Sequence, residues 1–262
     1  MNPKIAYFGG EPLSVPVLNE LKQAGILPEL VVCSPDRPVG RKQALTPPPT
    51  KVWAQKHGIE AFQPVSYKEK AEIEKVLDDD FDLFVVVAYN FILPEWVLEL
   101  PKHKTINVHP SLLPKLRGPS PIRSAIANDD REAIGVSVML LDNEMDHGPL
   151  LAQQVMPIAD EYWPIDGQEL DKGLANLGGA LLADTIPQWL TGKIEPTEQA
   201  HDAATYTEKL TRADGELALN PHNLPTSDAA FQALLKIRAF SGWPETFFVH
   251  EGKRVKIKEA EL

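Results

Sequence analysis

The sequence predicts an α/β fold of the Rossmann-like kind, in which helices cover both faces of a sheet. Short apolar segments alternate with amphipathic ones along most of the chain, as strands and helices do in such folds. One segment, FDLFVVVA at residues 81–88, is apolar at every position but Asp82, which is typical of a central strand covered on both faces. With 262 residues, of which 43% are hydrophobic, the chain is long enough for one large domain or two unequal ones.

The predicted elements follow in order along the chain. Strands are predicted at KIAYF, ELVVC, FDLFVVVA, TINVH, IGVSVMLL and LLAQQVMPI. Helices are predicted at SVPVLNELKQAG, which ends at Gly25, and at YKEKAEIEKVL. A further helix, from Gly167 to Trp189, has one apolar face made of Leu170, Leu174, Leu177 and Leu181.

Composition divides the chain into three parts. Residues 1–190 form the predicted main domain, and the polar, aperiodic residues 191–210 are predicted to be a linker. Residues 211–262 are expected to form a small domain. It would contain a helix at SDAAFQALLKIRAF and a hairpin that turns at Glu251 and Gly252.

Cysteine content and charge argue against several classes of protein. The single cysteine, Cys33, cannot form an intrachain disulfide, which fits the reducing cytoplasm. No apolar run approaches the ~20 residues of a membrane span, and strand-like residues at the start argue against a signal peptide. A net charge of −11 argues against binding nucleic acid over the whole surface, but it leaves a local basic patch open.

The connection SPDRPVGRKQALTPPPT, between the second strand and the next helix, is a candidate for such a patch. It is long for an α/β fold, and long loops in compact domains are often functional. It contains Arg37, Arg41 and Lys42, a small basic cluster on an acidic protein. The simpler interpretation is a solvated surface loop.

The segment INVHPSLLPKLRGPSP contains the main candidate for chemistry. Alternation in a strand places Asn107 and His109 on one face at the carboxyl end, where ligand sites lie in α/β sheets. The next predicted strand runs into a polar loop that contains Asp146 and Gly148. If the two strands are neighbours, Asp146 can reach His109 and favour the imidazolium form. An imidazole held by a carboxylate beside an amide donor is suited to stabilising a tetrahedral oxyanion and passing protons at a carbonyl centre.

Other interpretations of these residues stay open at this point. His109 can be a structural histidine at the end of a strand. A hydrolase triad is disfavoured, because Ser111 follows His109 too closely and no G-x-S-x-G turn occurs. A metal site at His109, Asp146 and His147 lacks a paired-ligand spacing. A Rossmann-type cofactor site is also disfavoured, because no G-x-G-x-x-G follows the first strand. Since no covalent nucleophile is apparent, direct transfer between two bound substrates is favoured.

These motifs, with others along the chain, resemble one family closely. They are NVHPSLLPKLRGPSPI and MDHGPLL, together with FGGEPLSVPVL at the first strand and VVVAYNFILP on the central one. They are similar to those of the 10-formyltetrahydrofolate-dependent formyltransferases. SPDRPVGRKQALTPPPTKVWA, KLTRADGEL and IRAFSGWPETFF favour the branch of that family that formylates methionyl-tRNA. The resemblance covers essentially the whole chain.

The resemblance implies a role for each matching residue. His109 would donate a proton and stabilise the oxyanion, Asn107 would bond the formyl oxygen, and Asp146 would support the charged imidazole and order a water. Arg41 and Lys42 would contact the tRNA. Folate contacts are implied for Phe91, Ile92, Leu93, Ser111, Leu112, Leu113, Pro114, Asp142, Asn143, Glu144 and Met145.

The same resemblance implies the substrates and the setting. The donor would be 10-formyltetrahydrofolate and the acceptor methionyl-initiator tRNA, with no metal and no membrane. The protein would be a cytoplasmic monomer, and residues 1–190 would be its catalytic domain. Residues 211–262 would form a small, incomplete version of the family's OB-like domain.

Three positions depart from the family pattern, and three rival functions follow from the same motifs. Gly10 and Glu11 stand where Thr-Pro is usual, and Asn90 replaces a common glycine beside the folate pocket, which puts folate affinity in question. The rivals are an amino-sugar nucleotide N-formyltransferase, a formyltetrahydrofolate hydrolase and a folate- or tRNA-binding homologue without turnover. The first leaves the basic loop and TRADG unexplained. The second is expected to carry an N-terminal regulatory domain, and no such segment precedes Lys4.

Overall fold

The computed structural model of the chain describes residues 3–40, 43–77 and 80–262. The strands are β1 Ile5–Phe8, β2 Leu30–Val32, β3 Arg37–Val39, β4 Ala44–Thr46, β5 Glu60–Phe62, β6 Leu83–Val86, β7 Thr105–His109, β8 Gly135–Leu140, β9 Leu150–Val155, β10 Phe247–His250 and β11 Lys253–Lys256. The helices are α1 Ser14–Gln23, α2 Pro49–Lys56, α3 Lys70–Leu77, α4 Glu95–Leu98, α5 Pro121–Ala127, α6 Gly167–Leu190 and α7 Ser227–Ala239.

The main sheet has seven strands in the order β5-β2-β1-β6-β7-β8-β9. The pairs from β5 through β7 are parallel, whereas β8 runs antiparallel to β7. The predicted α/β fold is therefore confirmed, and β6 lies at the centre of the sheet, as its apolar sequence predicts. The chain builds outward in one direction from β1 through β2 and in the other through β6. In α/β sheets such a switch point opens a crevice beyond the carboxyl ends of the strands.

Burial of apolar side chains around β6 holds the sheet to its helices. Every residue of β6 is buried, and the rings of Phe8 and Phe84 lie 5.0 Å apart between centroids. The charged helix α3 joins this core through Ile73 and Leu77, which lie four positions apart on one face. A fully buried side chain of this size contributes about 1.5–3 kcal/mol relative to an exposed one.

The chain divides into two compact units, and each contains segments from distant parts of the sequence. The first unit comprises Met1–His109, Val136–Gln154 and Ala175–Gln199. The second comprises Pro110–Gly135, Val155–Leu174 and Ala200–Leu262. All of the seven-stranded sheet except its residues Gly135 and Val155 belongs to the first unit, as do Asn107, His109 and Asp146.

The second unit is built around α5 and α7, which pack against each other. Its hairpin pairs β10 with β11 and turns at Glu251 and Gly252, as predicted. The TRADG motif forms a one-turn helix, Arg212–Gly215. Asp214 caps this helix by accepting hydrogen bonds from the main-chain nitrogen and the hydroxyl of Thr211, at 2.6 and 2.7 Å. Residues 211–262 thus supply this one-turn helix, the α-helix α7 and one hairpin to the expected OB-like region.

Two elements differ in detail from their sequence patterns. The long connection after β2 contains a short hairpin, in which Arg37–Val39 pairs with Ala44–Thr46. In α6, Leu170 and Leu174 are buried as predicted, but Leu177 and Leu181 are only half-buried. The buried positions farther along α6 include Gly178, Leu182 and Ile186 instead. In the ranges that the structure describes, no helix combines the length and the apolar character needed to span a membrane.

Candidate active site

Strand β7 places the amide of Asn107 and the imidazole of His109 on one face of the sheet. Val108, between them, points to the other face and packs against α6 at Gly178, where a methyl group would lie 2.8 Å from its Cγ1. Both polar residues are buried, with 9% and 4% of their surface exposed. The alternation predicted from the sequence is therefore confirmed, and the pair lies at the carboxyl end of a parallel strand.

The loop that carries Asp146 reaches His109 from an unexpected direction. Because β8 is antiparallel to β7, this loop starts beside the first residue of β7, where Leu141 N–H donates to the Thr105 carbonyl. The loop must then run back toward the other end of the strand. Asp146 Oδ1 lies 3.6 Å from His109 Nδ1, with both side chains largely shielded from solvent. This distance suits an ion pair with a charged imidazole, but it is too long for a direct hydrogen bond.

The backbone of this loop is tightly constrained. Asp146 has a φ of +50°, a left-handed conformation that side-chain-bearing residues adopt at an energetic cost. Two residues later, a Cβ on Gly148 would lie 2.1 Å from the carbonyl oxygen of Leu140, so only glycine fits. The D-x-G spacing noted in the sequence is thus explained by a close approach of two backbone segments.

Other polar residues of the loop bond to one another. Asp142 accepts hydrogen bonds from the main-chain nitrogen of Glu144 at 2.9 Å and lies 2.7 Å from Nδ1 of His147. His147 therefore pairs with Asp142, a different carboxylate from the one near His109. Among residues 3–40, 43–77 and 80–262, no group of three or more His, Cys, Asp or Glu side chains could hold a metal ion.

Gln199 makes a buried contact to this loop that the sequence did not indicate. Only 4% of its surface is exposed, and its Nε2 donates to the carbonyl oxygens of Asp146 at 2.9 Å and Gly148 at 2.7 Å. It lies in the polar segment predicted as a linker, which has no periodicity that could mark it. The sequence signal for this residue is absent, because its partners are main-chain carbonyls and not a side chain of recognisable type.

The segment Phe91–Leu93, a predicted folate contact, presents its three side chains differently. Phe91 joins an aromatic cluster, with ring centroids 5.6 Å from Tyr89 and 6.2 Å from Tyr67. The hydroxyls of those two tyrosines lie 2.7 Å apart, and burial raises the pKa of both well above its ordinary value. Ile92 is 89% exposed, whereas Leu93 is buried in the core.

Three of the predicted folate contacts on the Asp146 loop are exposed, whereas Asp142 is half-buried. Asn143 and Glu144 are exposed, and Met145 is an exposed apolar side chain. Like Ile92, Met145 is available to an apolar ligand, although single exposed apolar residues are also common on protein surfaces.

The predicted contacts Ser111–Pro114 belong to the second unit. The Ser111 hydroxyl donates to the Lys115 carbonyl at 2.6 Å, and Leu112 N–H donates to the Ala133 carbonyl. Leu113 is buried and Pro114 half-buried. The Ser111 hydroxyl is thus engaged in a local turn, and this geometry does not support the hydrolase triad that the sequence already disfavours. The predicted tRNA contacts Arg41 and Lys42 lie outside the described residues.

The departures from the family pattern contact each other. The Asn90 amide donates to the Glu11 carboxylate at 2.6 Å. A Cβ on Gly10 would lie 2.9 Å from the Asn90 side-chain oxygen, so the small residue makes room for the amide. These residues follow β1 and β6, the adjacent strands at the switch point of the sheet. The substitutions at positions 10, 11 and 90 therefore form one local arrangement at the mouth of the crevice.

Comparison with known proteins gives this geometry a context. A family model described as formyl transferase matches residues 3–185, which is more than half of the chain. The chain belongs to the formyl transferase family. A methionyl-tRNA formyltransferase of Halalkalibacterium halodurans is 39% identical over 258 residues, which cover 98% of this chain and 78% of that protein. The predicted family is thus confirmed.

Solved structures confirm the formyltransferase fold. A 4-N formyltransferase from Francisella tularensis matches with a TM-score of 0.72 at 18% identity, over 97% of this chain and 96% of that chain. HypX from Aquifex aeolicus, solved in complex with tetrahydrofolic acid, matches with a TM-score of 0.70 at 16% identity. That match covers 99% of this chain and 38% of HypX. At these identities the likeness concerns the fold alone.

The candidate site brings together groups that can support acyl transfer. An amide donor and an imidazole lie on one strand face, with a carboxylate 3.6 Å from the imidazole. Donors that are already oriented in a water-poor site stabilise developing negative charge on an oxygen without reorganising during the reaction. A carboxylate near an imidazole favours the charged ring and thus its use as a proton donor.

Proposed function

We propose that this formyltransferase transfers the formyl group of 10-formyltetrahydrofolate to the amino group of methionyl-tRNA, the reaction that prepares the initiator for translation. The observation that supports it most is the buried Asn107–His109–Asp146 constellation within a chain that is 39% identical to a methionyl-tRNA formyltransferase. The proposed acceptor is made in the cytoplasm, where we expect the protein to act as a monomer.

In the proposed mechanism the amino nitrogen of methionyl-tRNA attacks the formyl carbon directly. The formyl oxygen gains negative charge in the tetrahedral intermediate, where the Asn107 amide and the His109 imidazolium donate hydrogen bonds to it. His109 then supplies the proton for N10 as tetrahydrofolate leaves, and the attacking amine releases its own proton. Asp146 favours the charged form of His109 and orients the water that carries the amine proton away. No covalent enzyme intermediate is needed, so catalysis rests on positioning and charge stabilisation.

Substrate contacts are proposed from the resemblance. Arg41 and Lys42 would contact the tRNA. Contacts to the folate are proposed for Phe91, Ile92, Leu93, Ser111, Leu112, Leu113, Pro114, Asp142, Asn143, Glu144 and Met145. Within these, Ile92 and Met145 have the exposed apolar surface that a folate ring would cover.

The acceptor is tested by direct competition between substrates. Purified protein is incubated with 10-formyltetrahydrofolate and either charged initiator tRNA or an amino-sugar nucleotide, and product is followed by mass spectrometry. We expect formyl-methionyl-tRNA and no formylated sugar. Formylation of the sugar alone would refute the proposal, and release of formate without an acceptor would indicate the hydrolase alternative.

The catalytic assignment is tested by His109→Ala. Loss of the group that donates the proton and stabilises the oxyanion should lower kcat by about 10²–10⁴-fold. The circular dichroism spectrum and melting temperature should stay close to those of the wild type. His57→Ala serves as the matched control, because His57 lies at the end of α2 and stacks on Trp53. Near-normal turnover by His109→Ala would show that this imidazole is not the proton donor.

A further inference from the structure

Gln199 is unusual among the polar residues of its segment, because it is buried while the residues on either side are exposed. Its neighbours Glu198 and Ala200 are exposed, whereas only 4% of the surface of Gln199 is exposed. The Gln199 side-chain nitrogen, Nε2, donates hydrogen bonds to two main-chain carbonyls of the Asp146 loop, those of Asp146 and Gly148. A primary amide has two N–H donors on that nitrogen, so each carbonyl can receive one.

The segment is itself fixed beside the loop. Thr197 and Leu150 exchange two main-chain hydrogen bonds, at 2.8 and 2.9 Å, and so form an antiparallel bridge at the first residue of β9. Continuing this antiparallel register places Gln199, two residues after Thr197, opposite Gly148, two residues before Leu150. The backbone just before Gln199 is therefore fixed by strand-like pairing, and this pairing positions the side chain beside the loop.

The loop requires such support at this point. Asp146 adopts a φ of +50°, and the backbone at Gly148 is pressed against the Leu140 carbonyl. Residues held in sparsely populated conformations persist only where the surroundings fix them. Buried carbonyls also need donors, and Gln199 supplies them on both sides of His147.

We propose that Gln199 is a positioning residue for the formyl-transfer reaction. By holding the carbonyls of Asp146 and Gly148, it keeps the Asp146 carboxylate aimed at His109. The inference rests on the proposed function, in which Asp146 acts through His109. Gln199 itself acts only through the loop backbone.

The main test replaces the amide donors by an apolar group of similar length, in Gln199→Leu. Turnover should fall about 10- to 100-fold, because a displacement of about 1 Å in a catalytic group has effects of this order. The fall should appear in kcat more than in KM for either substrate. Gln188→Leu is the matched control, since it makes the same change on α6, where the amide donates to Asp184, four residues earlier in the same helix. Wild-type kcat in Gln199→Leu would overturn the proposal.

Two further readouts separate positioning from general destabilisation. In an Asp146→Asn background, Gln199→Leu should cost little more, because the group that it positions has already been lost. In Gln199→Glu, the ionised carboxylate offers no donor to the two carbonyls, whereas the protonated acid offers one. The turnover of Gln199→Glu relative to wild type should therefore rise as the pH falls, while that of Gln199→Leu should stay flat. Additive losses, or parallel pH profiles of the two variants, would contradict the positioning role.

A measurement without substrate keeps this inference distinct from the proposed function. Amide hydrogen exchange of a peptide covering residues 141–149 should be faster in Gln199→Leu than in wild type, and unchanged in Gln188→Leu. If the wild-type protein forms no formyl-methionyl-tRNA, the proposed function fails, and with it the catalytic meaning of the contact. If the wild type is active but loop exchange and kcat are both unchanged in Gln199→Leu, the inference alone fails.

Discussion

At the scale of single residues, Thr50 offers a direct test of what one buried hydroxyl contributes. It is fully buried, and its Oγ1 donates to the Gly9 carbonyl at 2.8 Å, which joins the start of α2 to the end of β1. Thr50→Val keeps the shape but leaves that carbonyl without this donor. We expect the free energy of unfolding, measured in urea, to fall by about 1–3 kcal/mol.

Thr46→Val is the matched control for this prediction. Thr46 is exposed, and its Oγ1 donates to the Ala44 carbonyl at 2.9 Å. Water can replace that donor, so the change in unfolding free energy should stay within about 0.5 kcal/mol. Equal losses at the two positions would mean that burial does not determine the effect.

The candidate site shows how far single residues can be predicted. Alternation alone placed Asn107 and His109 on one face, because the side-chain period of a strand is fixed by its geometry. The contact with Asp146 was expected only on the condition that the two strands are neighbours, which they are. The contact of Gln199 could not be predicted, because it joins residues 53 positions apart through backbone carbonyls. No residue type marks a carbonyl that needs a donor.

At the scale of elements, the long connection after β2 is fixed at its base by Asp36. The Asp36 carboxylate accepts hydrogen bonds from Lys51 at 2.8 Å and from Gln63 at 2.8 Å. The bond from Lys51 has the largest effect in lowering the pKa of the Asp36 carboxyl, and the bond from Gln63 lowers it further. Asp36 directly precedes β3, so the cluster ties the β3–β4 hairpin to α2 and to the end of β5.

Asp36→Asn should therefore lower the melting temperature in a pH-dependent way. A carboxyl whose pKa is lowered on folding stabilises the native state above its unfolded pKa, about 3.9, and this contribution is lost as the pH falls through the folded pKa. The melting difference between wild type and Asp36→Asn should be largest at neutral pH and should close below pH ~4. Glu29→Gln, at an exposed carboxylate, is the control and should show no such trend. A difference that stays constant down to pH ~3 would exclude the ionic contribution.

The elements themselves were predictable to different degrees. The strands β1, β2, β6, β7 and β8 were found from apolar runs, since each buries all of its residues. Strand β9 was found from the same kind of run, although only Leu151 in it is buried. The β3–β4 hairpin was missed, because its strands have three exposed residues each and one contains Pro38. Such strands carry no alternating pattern. The antiparallel direction of β8 also follows from tertiary pairing, which no local pattern encodes.

At the scale of the whole molecule, a net charge of −11 sets a condition on the proposed tRNA substrate. A polyanion is repelled by an acidic protein unless it meets a local basic patch. In the second unit, the cations of β11 are partly engaged within the unit. Arg254 stacks 3.4 Å from the centroid of the Phe247 ring, and Lys256 pairs with Glu245. The cluster Arg37, Arg41 and Lys42 is therefore the stronger candidate for contact with the tRNA.

Arg41→Ala combined with Lys42→Ala tests this assignment. Loss of two phosphate contacts should raise the KM for methionyl-tRNA on the order of tenfold at low salt, and the dependence of log KM on log salt should become shallower by about 1–2. The KM for 10-formyltetrahydrofolate should stay unchanged, because the proposed folate contacts do not include these two residues. Lys75→Ala with Lys193→Ala is the matched control, since it removes the same charge from two exposed lysines elsewhere in the first unit. If both double variants weaken tRNA binding equally, the net charge of the protein, and not a local patch in the long loop, governs the encounter.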